Sequence, residues 1–217
     1  REKQLLQAWI QQGARWQGHW AWTSPQRPAI PRLETVSPTG NAIDHFIHAK
    51  LRESKLAPSP TADRRTLVRR LYFDLTGLPA DPAIVTAFLK DSSPEAYEKL
   101  VDTLLASPHF GERMAIYWLD VVRYADSNGY HADKPRQISP YRDYVINVFN
   151  NNKPYDQFIV EQLAGDLLPN PTPEQKVASG FNMLLQTTDE GGAQAKEYLA
   201  KYAADRVRNT SSIFLGV

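Results

Sequence analysis

Residues 93–105 read Ser-Pro-Glu-Ala-Tyr-Glu-Lys-Leu-Val-Asp-Thr-Leu-Leu, and this stretch decides the fold class of the chain. Serine followed by proline is a typical start of an α-helix, because serine can cap the first turn and proline fits the first helical position. The apolar side chains then recur at helical spacing, as Tyr97, Leu100, Val101, Leu104 and Leu105. This period of 3.6 residues predicts a helix with one apolar face.

The same signals recur along most of the chain. Asp81-Pro82 repeats the start signal, and Thr76-Gly77-Leu78-Pro79 is typical of a helix end. No convincing run alternates apolar and polar residues as a half-buried strand does. We expect helices between residues 61 and 105 and also at about 2–17, 41–55, 111–124, 140–150, 154–168, 173–186 and 193–209. The predicted fold is all-α, an irregular multi-helix domain of about eight or nine helices that follows a proline-rich N-terminal strap.

Composition excludes several classes of protein. The chain has 217 residues, of which 42% are hydrophobic, so it can bury a core. Its net charge of +1 argues against a globally basic nucleic-acid binder, although residues 1–70 carry a net +7. No apolar run is long enough for a membrane-spanning helix. Because the sequence contains no cysteine, no haem can be attached covalently within it.

The N-terminal part differs from the rest. A short helix with an apolar stripe is expected within residues 1–22, together with an aromatic segment at Trp16, Trp20 and Trp22. Residues 23–40 contain regularly spaced prolines, which favour an extended strap or linker. Two interpretations of the tryptophans remain open. They form a hydrophobic seal between two domains, which is the commoner use of such clusters, or they bind a ligand such as a sugar.

The loop that follows the 111–124 helix is a candidate metal site. Asp126, Asn128, the carbonyl of Tyr130 and Asp133 supply oxygen donors around a glycine, as calcium loops do. The spacing departs from the full calcium-binding pattern, since a glutamine stands where a bidentate glutamate is expected. The alternative, which the pattern favours, is a loop held by hydrogen bonds between its side chains and backbone.

Charged residues in the central helices predict an internal ionic network. The helix at 111–124 has apolar residues on two faces, so we expect its charged seam to be buried and Asp120 to pair with an arginine. The candidate members are Arg113, Asp120, Arg123, Arg142, Asp143, Asp156, Glu161, Asp166, Asp205 and Arg206. A structural role is the favoured interpretation. The alternative is a polar cavity, in which Arg123 and Arg142 bind carboxylates.

Two further patterns carry weaker predictions. His45 and His48 lie one helical turn apart, but they supply only two ligands, so a solvated helix face is favoured over a metal site. Asp189-Glu190-Gly191-Gly192 pairs two carboxylates on a turn, and a helix cap is favoured over acid–base catalysis. The sequence has no phosphate loop, dinucleotide fingerprint or Gly-x-Ser-x-Gly motif.

Several long motifs occur in a fixed order and carry a resemblance. They are Asp74-Leu75-Thr76-Gly77-Leu78-Pro79, Ser107-Pro108-His109-Phe110-Gly111-Glu112-Arg113, Arg123-Tyr124-Ala125-Asp126-Ser127-Asn128-Gly129-Tyr130, Tyr141-Arg142-Asp143-Tyr144, Lys153-Pro154-Tyr155-Asp156, Gln162-Leu163-Ala164-Gly165-Asp166-Leu167-Leu168-Pro169 and Asp189-Glu190-Gly191-Gly192. Over about residues 41–217 the chain resembles a planctomycete and verrucomicrobial family, domain of unknown function 1549, also called planctomycete-specific cytochrome domain two.

The resemblance implies a fragment of a larger exported protein. It implies that residues 1–22 end a preceding cytochrome c domain and that 41–217 form the family domain, cut before a haem-attachment motif. Haem c is then expected in the flanking regions of an extracytoplasmic parent, where Arg123 and Arg142 are candidate ligands of haem propionates. The partners expected are the flanking cytochrome c domain and the downstream domain, with no nucleic acid and a polysaccharide or redox partner as further options.

Three functions remain compatible with the sequence. The first is a helical scaffold that positions haem groups for electron transfer. The second is part of a redox or polysaccharide-active enzyme whose site forms with the downstream domain. The third is a carbohydrate- or protein-binding module that uses the aromatic segment. No reaction is established for the family, so the resemblance implies a context and not a mechanism.

Overall fold

A computed structural model describes residues 2–16, 18–33, 41–130 and 133–216. These residues form ten α-helices and no β-strand, which confirms the predicted all-α fold. The helices are α1 (Glu2–Gln11), α2 (Ala42–Glu53), α3 (Arg64–Leu75), α4 (Pro82–Lys90), α5 (Ala96–Leu105), α6 (Pro108–Val121), α7 (Ser139–Asn150), α8 (Tyr155–Ala164), α9 (Pro173–Ala178) and α10 (Ala195–Thr210). Within the described ranges, no helix has both the length and the apolar character needed to cross a membrane.

The chain divides into two compact units, Arg1–Thr61 and Ala62–Val217. The first unit contains α1, a 3-10 turn at Trp20–Trp22 and α2. No residue of α1 is buried, and its apolar stripe is exposed at Leu5, Leu6, Trp9 and Ile10. The units separate after Thr61, so α2 groups with the first unit, although it falls inside the region of the family resemblance. Residues 34–40 of the predicted strap lie outside the described residues.

Two hydrophobic clusters hold the second unit together. The first joins α3, α4 and α5 through Val68, Phe88, Ala96, Leu100 and Leu104. The second joins α6 to α9 and the segment after α9 through Ala115, Val122, Tyr141, Tyr144, Val145, Val148, Phe158, Ala178, Phe181 and Leu184. Burial of these side chains stabilises the unit by removing apolar surface from water.

The start of α6 lies three residues before the predicted one. Ser107 caps the helix by accepting a hydrogen bond from the N–H of His109 at 3.3 Å, and Pro108 occupies the first helical position. Gly111 is therefore an internal residue of α6. Its N–H donates to Oδ1 of Asn150 on α7 at 2.7 Å, and a Cβ there would lie 2.5 Å from that side chain. The glycine lets α6 and α7 approach closely.

Two helices are shorter than predicted. α8 ends at Ala164 and continues as a 3-10 turn at Gly165–Leu167, and α9 ends at Ala178 before another 3-10 turn. A Cβ at Gly165 would lie 2.1 Å from the backbone oxygen of Gln175, so the two backbones pack directly against each other there. The tight contact requires glycine at position 165.

Candidate functional site

An open cleft of about 480 Å³ in the second unit is the candidate functional site, and we call it the α10 cleft. Its walls come from the loop after α6, from the segment that precedes α10, and from α10 itself. The side chains that line it are Arg123, Tyr130, Gln186, Thr188, Tyr198, Ala200, Lys201, Tyr202, Ala204, Asp205 and Arg208. Clefts of this size are typical of small-ligand sites.

Arg123 sits where α6 ends, in a left-handed backbone conformation with φ of 59°. The N–H of Tyr124 donates to the carbonyl of Leu119 at 2.9 Å, and that of Arg123 donates to Asp120 at 3.0 Å, which closes the last turn. Glycine usually fills such a position, since a side chain costs about 1 kcal/mol there. The contacts of the Arg123 side chain must therefore offset this backbone strain.

The guanidinium of Arg123 ties α6 to α10. Its Nη2 donates to Oδ2 of Asp205 at 3.0 Å, and its Nε donates to Oδ1 of Asn209 at 3.1 Å. A second contact, from Nη1 to the other carboxylate oxygen at 3.4 Å, makes the ion pair bidentate. The fork of arginine matches a carboxylate in this way. Arg123 and Asp205, two of the candidate network members, therefore form an ion pair that holds the end of α6 against one wall of the cleft.

Three tyrosines line the cleft. The rings of Tyr198 and Tyr202 lie on one face of α10 with their centroids 5.8 Å apart. Tyr202 accepts a hydrogen bond on its hydroxyl from the N–H of Thr188 at 2.9 Å, which holds the segment before α10 against the helix. A hydrogen bond with Tyr130 raises the pKa of Tyr198. The cleft therefore offers aromatic surface with phenol groups at its edge.

Two cations on α10 complete the lining. The ammonium group of Lys201 lies 4.9 Å from the centre of the Tyr198 ring and also pairs with Glu197. Arg208 is exposed, and its guanidinium makes no hydrogen bond, ion pair or ring contact with any described residue. Arg208 is thus the cation of the cleft that is available to an anionic ligand.

A smaller cavity of about 200 Å³ adjoins the cleft and shares Arg123 and Gln186 with it. Arg136 connects the walls of this cavity by two hydrogen bonds. Its Nη1 donates to the carbonyl of Leu185 at 2.9 Å, and its Nη2 donates to Oγ1 of Thr187 at 3.3 Å. These bonds connect the loop after α6 to the segment before α10 across about 50 positions of sequence, which makes the two segments one wall.

The three calcium candidates contact three different partners. Asp126 accepts from the hydroxyl of Tyr124 at 2.6 Å, whereas Asp133 accepts from the N–H of Gly129 at 2.7 Å. Asn128 donates from its side chain to Asp189 at 2.9 Å. Among the described residues, no group of three or more histidine, cysteine, aspartate or glutamate side chains could hold a metal ion. The described side chains of the loop therefore take part in hydrogen bonds within the protein, and the calcium site stays a prediction.

These hydrogen bonds perturb two titratable groups. Donation from the side chain of Ser127 and from the backbone of Gly129 lowers the pKa of Asp133. Burial, together with the hydrogen bond to Asp126, raises the pKa of Tyr124 to about 12. Asp189 also lies 3.4 Å from Nζ of Lys134, so the predicted carboxylate turn serves as an anchor for the loop.

The prediction that Asp120 is buried was wrong. Asp120 is exposed and makes no ion pair with a described residue, and the neighbouring Ile116 and Tyr117 on that face are 54% and 55% exposed. Arg113 instead donates to the hydroxyl of Tyr117 at 2.7 Å within the same helix. The face of α6 that carries Ile116, Tyr117 and Asp120 is therefore exposed to solvent.

The other network candidates are dispersed. Arg142 and Asp143 form an exposed pair at 3.7 Å on α7, away from the lining of the cleft. Arg206 donates from Nε to the carbonyl of Asn182 at 3.0 Å, and Asp166 is exposed without an ion pair among the described residues. These residues do not form one network in the described structure, because side chains that are close in sequence contact different parts of the fold.

A buried ionic centre lies elsewhere, around Glu161 of α8. Its Oε2 accepts from Nζ of Lys153 at 2.5 Å and from the hydroxyl of Tyr144 at 2.8 Å, and Oε1 accepts from Nε2 of Gln175 at 3.3 Å. The side chains of the ion pair are only 18% and 10% exposed. Glu161 was a candidate on sequence grounds, whereas Lys153, which lies in the turn between α7 and α8, was not.

The comparison with known families decides what kind of domain this is. A family model described as "Protein of unknown function (DUF1549)", with the short name PSCyt2, matches residues 42–217. The chain belongs to the DUF1549 family. This confirms the resemblance drawn from the motifs. Comparison with curated proteins and with solved structures gave no match.

The matched region of the DUF1549 domain contains the whole α10 cleft. Of the lining residues, Arg123, Tyr130 and Asp205 were candidates on sequence grounds, whereas Tyr198, Lys201 and Arg208 were not. A signal for the missed residues was present, because their spacing of three and seven positions places them on one face of a helix. That face is polar and aromatic, so a search for apolar stripes passes over it.

Proposed function

We propose that this DUF1549 domain is the helical scaffold and interaction domain of an extracytoplasmic multi-domain c-type cytochrome. In this proposal the α10 cleft receives a carboxylate, namely a propionate of haem c bound by a flanking domain. The observation that carries it is Arg208, a cation in a ligand-sized cleft without a partner among the described residues. The family's short name, which points to a cytochrome context, supports the same choice.

In this proposal Arg208 binds the propionate, the role that the sequence suggested for Arg123 and Arg142. The guanidinium of Arg123 is already engaged by Asp205 and Asn209, and Arg142 lies beside Asp143 outside the cleft. A guanidinium without a partner can give both donors of its fork to a propionate, which is the geometry that a carboxylate prefers. Arg123 then has a positioning role, because it holds α10 in place.

The rest of the cleft fits the same ligand. Lys201 lies near the ring of Tyr198 but is paired with Glu197, so Arg208 remains the cation that a propionate can reach. The aromatic surface of Tyr198 and Tyr202 can pack against the apolar edge of a porphyrin, while the propionate faces Arg208. Asp205 does not oppose the ligand, because Arg123 pairs with it.

A titration with a short haem-c peptide tests the proposal. Such a peptide carries covalently attached haem with both propionates free, and its visible absorption reports binding to the 217-residue chain. We expect Arg208→Gln to weaken binding by about tenfold or more, since a hydrogen bond to a charged group contributes roughly 1.5–3 kcal/mol. Arg65→Gln is the matched control, because Arg65 is an exposed arginine on α3 and does not line the cleft.

Esterification of the propionates gives a second arm. We expect the dimethyl ester of the haem peptide to bind the unaltered chain as weakly as the acid binds Arg208→Gln. If the acid and the ester bind equally, or if both arginine variants behave alike, the propionate proposal is wrong.

A second candidate ligand is an acidic sugar, and the three tyrosines are the observation that favours it. Sugars pack their C–H faces on tyrosine rings, and a uronate would place its carboxylate at Arg208. Titration with a galacturonate oligosaccharide, with a neutral oligosaccharide of equal length as control, tests this ligand. Binding of the uronate that is lost in Tyr198→Ala, without binding of the haem peptide, would favour the saccharide over haem.

A further inference from the structure

A separate cavity of about 640 Å³ lies within the first unit, between residues 27–32 and the first turn of α2. We call it the strap cavity. The side chains and backbone that line it come from Arg27, Pro28, Ala29, Ile30, Arg32, Ala42 and His45. The described part of its lining contains three nitrogen-bearing side chains, those of Arg27, Arg32 and His45, and no carboxylate.

The two arginines of the strap cavity are not neutralised by the acids of α2. Arg27 and Arg32 are exposed and form no hydrogen bond or ion pair with a described residue. The carboxylate of Asp44 accepts the N–H of Asn41 at 3.0 Å in the helix cap. Glu53 pairs with a lysine on the same helix, at 2.7 Å. Among the described residues, the side chains that line this cavity therefore carry positive charge.

His45 contributes a further polar atom to the cavity. Its Nδ1 is buried and has no hydrogen-bond partner, although a buried polar atom without a partner costs free energy. In the tautomer with hydrogen on Nδ1, this atom is a donor, so an oxygen-bearing ligand in the cavity can satisfy it. His45 lines the same cavity as the two arginines.

The backbone of the strap is suited to hold the arginines in place. Pro28 follows Arg27, and Pro31 precedes Arg32, so each arginine neighbours a residue with a fixed φ angle. A preorganised segment loses less conformational entropy when a ligand binds. Two arginines held on a stiff strap are therefore better placed for binding than two on a flexible loop.

We propose that the strap cavity binds a phosphate or sulfate group, with Arg27, Arg32 and His45 as its donors. Three donor groups suit a tetrahedral anion, which offers three or four oxygens, better than a carboxylate, which offers two. The site lies wholly in the first unit and is independent of the function proposed for the α10 cleft.

Nuclear magnetic resonance of the 217-residue chain tests the site with inorganic phosphate, sulfate and acetate as separate probes at constant pH and ionic strength. We expect phosphate or sulfate to shift the imidazole resonances of His45 in a saturable manner, whereas acetate does not. The double variant Arg27→Gln, Arg32→Gln should weaken the binding at least tenfold. Arg52→Gln, an exposed arginine of α2 outside the cavity, is the control and should bind as the unaltered chain does.

A variant of the histidine separates binding from packing. His45→Gln retains an N–H donor and should keep most of the affinity, whereas His45→Leu should lose it, as judged from chemical shifts of the strap amides. The proposal is overturned if neither phosphate nor sulfate produces a saturable shift. It is also overturned if the double arginine variant binds as tightly as the Arg52→Gln control, or if acetate binds equally well.

Discussion

Replacing Glu161 with alanine should be among the most destabilising single changes in the second unit. The carboxylate is buried and accepts hydrogen bonds from Lys153, Tyr144 and Gln175, which belong to three different segments of the chain. The alanine variant would leave the ammonium of Lys153 largely buried without its partner. Removing one member of a buried pair typically costs about 3–5 kcal/mol, because the remaining charge is stranded.

Asp120→Ala provides the control, since Asp120 is an exposed carboxylate without an ion pair among the described residues. Changes of this kind usually alter stability by about 0.5 kcal/mol or less. Urea unfolding, followed by far-ultraviolet circular dichroism, gives both values. A double variant that also replaces Lys153 with methionine should recover much of the loss, because it removes the stranded charge. Equal and small losses for Glu161→Ala and Asp120→Ala would refute the reasoning.

Three further predictions follow from particular contacts. Burial alone would raise the pKa of Glu161, but the hydrogen bonds from its partners outweigh burial and lower it. The stability that ionised Glu161 contributes is therefore fully present above the unfolded pKa of about 4.3 and is lost as the pH falls through the lower folded pKa. We expect the urea midpoint of the unaltered chain to fall more steeply below pH 4 than the midpoint of Glu161→Gln. Gly165→Ala should lower the free energy of unfolding by about 1–3 kcal/mol or prevent folding, because a Cβ would lie 2.1 Å from the backbone oxygen of Gln175. In the same urea assay Gly180→Ala should cost less, because its nearest contact would be at 3.7 Å. In thermal unfolding, Arg123→Gly should be less destabilising than Arg123→Ala by about 1 kcal/mol. Both variants lose the ion pair with Asp205, but only glycine adopts a φ of 59° without strain. The reverse order of stability would contradict this account.

The helices could be predicted from the sequence because their signals are local. Asp81 caps α4 by accepting from the N–H of Ala83 at 2.7 Å, as the Asp-Pro signal indicated. Leu100 and Leu104 of the opening stretch are buried in the core, whereas Leu105 is 43% exposed. Periodicity therefore found the helix and its apolar face but overestimated the width of the buried stripe.

The candidate site was harder to predict because its contacts are distant in sequence. Asp120 lies in the last turn of α6 and Arg123 just after it, yet Asp120 faces solvent while Arg123 bonds to Asp205 of α10, 82 positions away in sequence. Helical spacing states which residues share a face but not what covers that face. Only the packing of α10 decides it, and α10 has no buried residue by which a hydrophobic pattern could reveal its position.

The long-range character of the α10 cleft has a consequence for the order in which the domain folds. Its walls stand at residues 123–130 and 186–208, so they are separated by about 60 residues of sequence. Loop-closure entropy delays such contacts, whereas the neighbouring α6 and α7 can pair early. We therefore expect the cleft to assemble late and to open early, and because α10 has no buried residue, its amide hydrogens should exchange with solvent faster than those of α7.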